Sequence, residues 1–158
     1  MIFQETAMFD LPSEAIKLLK INSVTLTGTV EIVEYLYDLL KRYDLAAEIQ
    51  RAKHKGVDQY NLICRIAGKT KEEIIFNTHL DTVPPGDHKK WDKTKGDPFN
   101  PTIMDGRIYG LGSADTKLDY LAKLKALLKY KDEKFVNPLT FIGTYGEEMG
   151  LYGCEYFL

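Results

Sequence analysis

Residues 72–86, EEIIFNTHLDTVPPG, contain the pattern on which the fold prediction depends. The apolar run EEIIFNT predicts a strand, because short β-branched and aromatic segments bounded by turn residues are typical of strands. A histidine and an aspartate follow one residue apart, and two prolines then turn the chain. If the chain stays extended past His79, its period of two places Asp81 on the same side as His79.

Helical and strand patterns alternate outward from this stretch. Apolar residues recurring on one face predict three helices: from Asp10 and Pro12 through AIKLLKI, over about 29–43, and over about 116–131. Strands are predicted near 46–52, over 60–66, over 72–78 and in PLTFIGTY, with a hairpin around Asp105-Gly106. This alternation predicts an α/β fold, a mostly parallel sheet with helices on both faces.

Length, charge and cysteine content limit the class of protein. The 158 residues fit one compact domain, and the formal net charge of -2, with both signs mixed along the chain, argues against a nucleic-acid partner. The N-terminus lacks the features of a signal peptide and no apolar run is long enough to span a membrane, which argues against a membrane protein. Cys64 and Cys154 form no CxxC motif. We therefore expect a reduced, cytoplasmic setting.

Polar side chains lie just beyond the predicted strands and before one helix. They are His79 and Asp81, Asp115, and the adjacent pair Glu147 and Glu148. Because sites in α/β sheets lie beyond the carboxyl ends of the strands, we expect these side chains to converge on one crevice. Imidazole and carboxylates together suit zinc, with cobalt, manganese or nickel as competitors.

The residue types also indicate which chemical role each side chain could have. Asp81 could hold the second ring N–H of His79 and so orient it as a metal ligand. Adjacent glutamates should point differently, so one of Glu147 and Glu148 can bind metal while the other takes a proton from the attacking water. Asp115 has a short stem and follows glycines, so it could bridge two ions.

Simpler interpretations exist for each residue. A histidine at a strand end is often only a surface residue, and paired glutamates are usually solvated charges. Asp115 taken alone is expected to be the N-cap of the following helix. His54 and His88 lie among lysines and are expected to be solvated.

Four motifs in order carry a family resemblance. They are HLDTVPPG, a W-x(6)-PF pattern from Trp91 to Phe99, DGRIYGLGSADTK and TYGEEMGLYG. Together they resemble the zinc-dependent amidohydrolase and peptidase family that includes acetylornithine deacetylase, succinyl-diaminopimelate desuccinylase, aminoacylase and carboxypeptidase G. The resemblance covers about residues 75–155, and the preceding helices and strands fit the family's catalytic domain.

The resemblance implies a role for each site residue. His79 would bind one metal, Asp115 would bridge two, and Glu148 would bind the other. Glu147 would be the general base and Asp81 would support His79. A complete site would hold two zinc ions, with cobalt or manganese possible.

The resemblance also implies a reaction and partners. The reaction would be amide hydrolysis in a small N-acyl amino acid or a short peptide, and the segment from DTVPPG to GLGSAD looks closest to that of acetylornithine deacetylase. The full-length protein would be a homodimer.

Two departures from the family pattern matter. The family usually has glycine after D-x-K, whereas Leu118 and Asp119 stand here and are expected to crowd the helix start. The family also continues with another acidic ligand, an inserted dimerisation and lid domain, and a late histidine ligand. We therefore expect residues 1–158 to be the N-terminal portion of a catalytic domain that binds metal weakly and is inactive by itself. Uncovered apolar surface is then expected to cause self-association.

Other functions remain open at this point. One is a dipeptidase or carboxypeptidase of the same family, and another is a non-catalytic binding module that keeps the fold. A nucleotide-binding domain would need phosphate-binding glycines at its first strand-to-helix turn, and the sequence has none there.

Overall fold

A computed structural model describes residues 9–158 of the chain. The helices are α1 (Leu11–Lys20), α2 (Val30–Arg42), α3 (Lys117–Tyr130) and α4 (Tyr152–Phe157). The strands are β1 (Ala47–His54), β2 (Val57–Ile66), β3 (Ile74–His79), β4 (Thr102–Met104), β5 (Arg107–Tyr109) and β6 (Leu139–Thr144). Among residues 9–158, no helix has the length and apolar character needed to cross a membrane.

The helix and hairpin boundaries follow local sequence signals. Asp10 is the N-cap of α1, where its carboxylate accepts from the Ser13 N–H, and Pro12 lies in the first turn, where proline costs no hydrogen bond. β4 and β5 pair as the predicted hairpin, and Asp105 and Gly106 at its turn both have positive φ. These predictions from the sequence are confirmed.

The main sheet has the strand order β1-β2-β6-β3. β3 and β6 are parallel, whereas β1 with β2 and β2 with β6 are antiparallel. The predicted α/β class is confirmed, but the sheet is mixed where the sequence predicts a mostly parallel one. The reason is the two-residue turn at Lys55 and Gly56, whose φ angles of 48° and 84° make a tight hairpin and so an antiparallel pair. Within residues 9–158, β3 and β6 are the only neighbouring strands of this sheet linked by a crossover that contains a helix, α3.

Helices cover the two faces of this sheet unequally. α1, α2 and α3 share one apolar core with Leu62, Cys64 and Phe141 of the sheet. α4 lies on the opposite face, where the buried Asn61 side chain contacts Gly153. Helices therefore lie on both faces as predicted, but only the short α4 covers the second face among the described residues.

β3 is an edge strand of the sheet. Ile74, Ile75 and Phe76 on this strand are 45%, 47% and 38% exposed, a level unusual for adjacent large apolar residues. Further along, the Lys123 ammonium donates to the Asn77 carbonyl at 2.6 Å, so part of the edge is already capped. The expected self-association stays a prediction, and the apolar half of β3 is where we expect it.

Candidate metal centre

The parallel pairing of β3 and β6 brings the site together. His79 ends β3 and pairs with Thr144 at the end of β6. The chain leaves β6 through Tyr145 and Gly146 and enters a 3-10 turn over Glu147–Met149. Because the carboxyl ends of parallel strands meet at one edge, the histidine and the glutamates lie side by side, as the sequence predicts.

His79 is the meeting point of the acidic groups. Its Nε2 lies 3.0 Å from Asp115 Oδ1 and 3.8 Å from Glu147 Oε2. Its Nδ1 lies 3.0 Å from the backbone oxygen of Asp81 and 3.7 Å from the Asp81 carboxylate. The backbone carbonyl of Asp81 is therefore the nearer partner of the second ring nitrogen, where the sequence predicts the carboxylate. The Asp81 side chain raises the pKa of His79 to about 9, against burial, which lowers it.

Asp81 is a fully buried carboxylate with several donors around it. It accepts from the Thr25 hydroxyl at 2.8 Å and from the backbone N–H groups of Glu147 and Glu148 at 3.2 and 3.3 Å. Burial raises the pKa of Asp81, but the neighbouring His79 and the hydrogen bonds from Thr25 and Glu147 outweigh it and the pKa is lowered. Asp81 thus holds the glutamate turn as well as the histidine.

The donor atoms form a cluster of metal-binding size. His79, Glu147 and Glu148 each place one donor atom within 4.8 Å of the others, and Asp115 contacts His79. Burial raises the pKa of Glu148, and the neighbouring charge of Asp115 raises it further. Crowded carboxylates around one imidazole repel each other unless a cation lies between them, and this donor set suits zinc, cobalt or manganese. The residues present therefore fit a divalent metal.

Asp115 does not cap α3. The N-cap position belongs to Thr116, and neither residue makes a side-chain capping bond there. Asp115 is instead directed at His79, with its side chain 75% exposed. Gly112, with φ of 84°, lets the preceding loop pass close to α3, because a Cβ there would lie 2.8 Å from the Lys117 side chain.

The other two histidines lie outside the cluster. His88 is exposed and its Nδ1 lies 3.1 Å from the Gly96 carbonyl oxygen, consistent with the expected solvated position. His54 is different, because its ring stacks on Tyr152 at 4.0 Å and its Nε2 is buried. The prediction that His54 is solvated is wrong, since the end of β1 lies against α4, which the local sequence does not reveal.

Asp119, one of the two residues expected to crowd the start of α3, forms contacts with its neighbours. Thr78 donates a short hydrogen bond to its carboxylate, and the Lys123 ammonium also contacts it. Burial raises the pKa of Asp119, but Lys123 and Thr78 outweigh it and the pKa is lowered. Its charge is thus compensated within α3 and β3, and crowding of a substrate stays a prediction.

The sequence analysis missed two buried polar residues, of which Thr25 supports the cluster directly. Thr25, nearly buried, binds the Asp81 carboxylate from 56 positions away, and no local pattern marks it. Lys117 is fully buried and donates to the Ile21 carbonyl at 2.7 Å, while burial lowers its pKa to about 8. Lys117 lies two positions after Asp115, but its burial depends on packing against the distant Ile21 carbonyl and could not be inferred from the local sequence.

A groove of about 560 Å³ opens next to the cluster. Asp115 and Glu148 line it together with Tyr109, Trp91 and residues of the 80–101 loop. The Trp91 indole N–H donates to the Pro85 carbonyl at 2.8 Å, which fixes this wall of the groove. The long loop therefore lies where a substrate would approach the clustered donors.

Sequence comparison agrees with this geometry. The profile of the peptidase family M20/M25/M40 matches residues 75–158, the part that holds all the clustered side chains. The chain belongs to this peptidase family. The resemblance inferred from the four sequence motifs is thus confirmed.

Relatives of this peptidase family include deacylases and peptidases. A probable succinyl-diaminopimelate desuccinylase of Staphylococcus epidermidis is 31% identical over 80% of this chain and 30% of its own length. An acetylornithine deacetylase of Pectobacterium carotovorum is 36% identical over 64% of this chain and 25% of its own.

A solved structure of the same peptidase family shares the fold. The metallo-carboxypeptidase of Sulfolobus solfataricus aligns with a TM-score of 0.70 and 26% identity, over 90% of this chain and 32% of its own. The chain spans about a third or less of the length of these proteins.

Proposed function

We propose that this chain carries the metal centre of an enzyme that hydrolyses the amide bond of an N-acyl amino acid. One observation carries the proposal: His79, Asp115, Glu147 and Glu148, far apart in sequence, gather at the carboxyl end of β3 and β6 beside a groove. Folding does not require this cluster, because carboxylates placed close together repel each other and destabilise the folded state.

Three residues would hold metal in a complete two-zinc site: His79 would bind one ion, Glu148 the other, and Asp115 both. His79 and Glu148 offer donor atoms within 4.8 Å of each other, and Asp115 approaches the Nε2 of His79 from the groove side. Zinc is the proposed ion, and cobalt or manganese would fit the same donors. A divalent metal held there supplies polarisation of the scissile carbonyl and lowers the pKa of the attacking water.

Glu147 would act as the general base. Its carboxylate is 40% exposed and lies 3.8 Å from His79 Nε2, so it contacts the cluster and remains accessible to solvent. It would take the proton of the attacking water and deliver it to the leaving nitrogen. The water oxygen would form a bond to the carbonyl carbon, the C–N bond would break, and the products would be a carboxylate and a free amine.

Asp81 would hold the base and the metal ligands in their positions relative to one another. Its buried carboxylate binds the backbone N–H groups of Glu147 and Glu148, and its backbone oxygen lies next to His79 Nδ1. A single residue thereby links the histidine to both glutamates. This supporting role depends on backbone contacts as well as on the carboxylate.

The substrate class rests on the relatives. The names of the deacylase relatives support removal of an acyl group from an amino acid. A second candidate is a carboxypeptidase or dipeptidase activity, favoured by the solved metallo-carboxypeptidase with the same fold. We also propose that the 158-residue chain binds metal weakly and is inactive by itself, because the further ligands implied by the resemblance correspond to no described residue.

Metal titration tests the proposed centre. Dialysed protein is titrated with Co²⁺ and Zn²⁺, and the visible Co²⁺ spectrum reports the coordination. We expect H79A and E148Q to lower affinity by about 100-fold and E147Q to leave it within a few-fold, because only the first two remove a ligand. D92N is the matched control, since Asp92 lines the same groove outside the cluster. Equal affinity in H79A and the unmodified chain would refute the centre.

Product analysis tests the proposed inactivity, and any turnover would also report the substrate class. The chain is incubated with Zn²⁺ and an N-acetyl amino acid or a dipeptide, and released amine is measured. Two tightly bound ions with clear turnover would contradict the proposal of an inactive chain. Release from the dipeptide alone would favour the second candidate.

A further inference from the structure

The glutamate turn is closed by a residue outside the metal cluster. Asn61 lies in β2, is fully buried, and points to the face of the sheet that carries α4. A buried amide must satisfy its polar atoms within the protein, so its partners reveal what it holds together.

Asn61 binds both ends of the segment that carries the glutamates. Its Oδ1 accepts from the Tyr145 N–H at 3.1 Å, and its Nδ2 donates to the Gly153 carbonyl at 2.8 Å. Nδ2 also donates to Gln50 Oε1 at 2.7 Å, which fixes the orientation of the amide. One side chain therefore bridges the two ends of residues 145–153, and Glu147 and Glu148 lie between them.

Gly153 makes this bridge possible. A Cβ at this position would lie 2.4 Å from the Tyr145 oxygen and 2.7 Å from Asn61 Oδ1, closer than any real contact. The Gly153 N–H also donates to the Tyr145 carbonyl at 2.9 Å, so the loop is closed by two bonds at the same point. The second glycine of the GLYG motif is thus explained by close approach of two backbones.

The backbone between these ends needs outside support. Gly146 and Gly150 have φ of 69° and 122°, and Leu151, which is not glycine, has φ of 62°. Glycine loses the most conformational freedom on folding, and positive φ is unfavourable for leucine. The segment therefore lacks a strong local preference for this shape, and the buried bonds of Asn61 select it.

We propose that Asn61 is a positioning residue that fixes Glu147 and Glu148 by closing the 145–153 loop. The inference rests on the proposed function for the role of the glutamates, but not for the closure itself. Asp81 holds the middle of the loop through two backbone N–H groups, and Asn61 holds its two ends. Without Asn61 the Tyr145 N–H and the Gly153 carbonyl each lose a buried partner, and water has no easy access to replace it.

Two measurements on the whole chain test this. Hydrogen–deuterium exchange without metal follows the amides of residues 145–153, and Co²⁺ titration follows the centre. For N61A we expect exchange in 145–153 to rise by about tenfold or more with α2 and α3 unchanged, and a weaker, altered Co²⁺ spectrum. Q50A is a milder change that removes one partner of the Asn61 amide, and it should give a smaller rise in 145–153 exchange and a smaller change in the Co²⁺ spectrum. It keeps the test valid if N61A does not fold.

C64A is the matched control. Cys64 lies in the same strand and is equally buried, but it faces the helical core. It should lower overall stability while leaving 145–153 exchange and the Co²⁺ spectrum unchanged. If N61A and Q50A behave like C64A, the inference is overturned. If the unmodified chain shows no Co²⁺ spectrum but N61A still loosens 145–153, the closure holds and the proposed metal function fails instead.

Discussion

The two sides of the metal cluster differ in how the protein holds them. On one side, His79 is 13% exposed and Asp81 is fully buried, with bonds from Thr25 and from two backbone N–H groups. On the other side, the Asp115 side chain is 75% exposed and contacts the His79 ring. The buried side is shaped by the fold itself, whereas the exposed side depends on what binds in the groove.

This difference separates stability from binding. A buried carboxylate that satisfies several donors contributes to folding, because its removal leaves those donors without partners. An exposed carboxylate contributes little to folding, because water screens its charge and replaces its contacts. Substitutions on the buried side should therefore mainly lower stability, whereas substitutions on the exposed side should mainly weaken metal binding.

The largest expected effect comes from replacing each aspartate in turn. D81A should lower the free energy of unfolding by about 3 kcal/mol, because it leaves the Thr25 hydroxyl and two backbone N–H groups unpaired. D115A should change it by less than about 0.5 kcal/mol and should weaken metal binding instead. Urea unfolding in the presence of a chelator measures both. Similar losses in the two variants would show that the sides are not held differently.

A smaller effect is expected from pH in the metal-free chain. The pKa of His79 is raised from its ordinary 6.5 to about 9, so protonated His79 stabilises the fold fully below about pH 6.5 and this contribution is lost as pH rises through 9. We expect a loss on the order of 2 kcal/mol between these values. Urea midpoints between pH 6 and pH 10 measure it. H79Q is the control, and an equal decline in H79Q would assign the effect to other groups.

The proton on His79 also competes with metal binding. A histidine must be neutral to bind a metal ion, so affinity should rise by about tenfold per pH unit until the pKa of His79 is passed. A flat affinity over this interval would mean that His79 is not a ligand.

The smallest effect is expected from T25V, which removes one donor to Asp81 and nearly preserves shape. We expect a loss of about 1 kcal/mol in the free energy of unfolding and a weakening of metal binding by a few-fold. T27V is a suitable control, since the Thr27 hydroxyl bonds to Asn22 and Val24 rather than to Asp81. Unchanged stability in T25V would show that the backbone N–H groups satisfy Asp81 without it.

Most of the fold could be predicted because its signals are local. The cap at Asp10, the positive-φ turn at Asp105 and Gly106, and the apolar face of α3 all act within a few residues. The direction of β1 and β2 could not be predicted from periodicity, because strand period is the same in parallel and antiparallel sheets. It follows from the two-residue turn between them, which makes the pair a hairpin.

Part of the candidate site was equally accessible from the sequence. His79, Asp115, Glu147 and Glu148 were predicted to converge, and the structure brings them together. Their individual roles stay a proposal. The residues that support the site were harder to predict, because Thr25 and Asn61 are ordinary polar residues whose partners at the site, Asp81 and Tyr145, lie 56 and 84 positions away.

The sequence by itself determined the kinds of chemical group in the site and the strand ends at which they stand. Residue type sets donor chemistry, and apolar period sets where strands end. Only the tertiary structure decided that Asp115 faces His79 rather than capping α3. It also decided that Asp81 and Asn61 accept hydrogen bonds from the backbone of the glutamate turn. These outcomes depend on contacts between distant segments, which form only when the sheet and helices pack, so no local pattern encodes them.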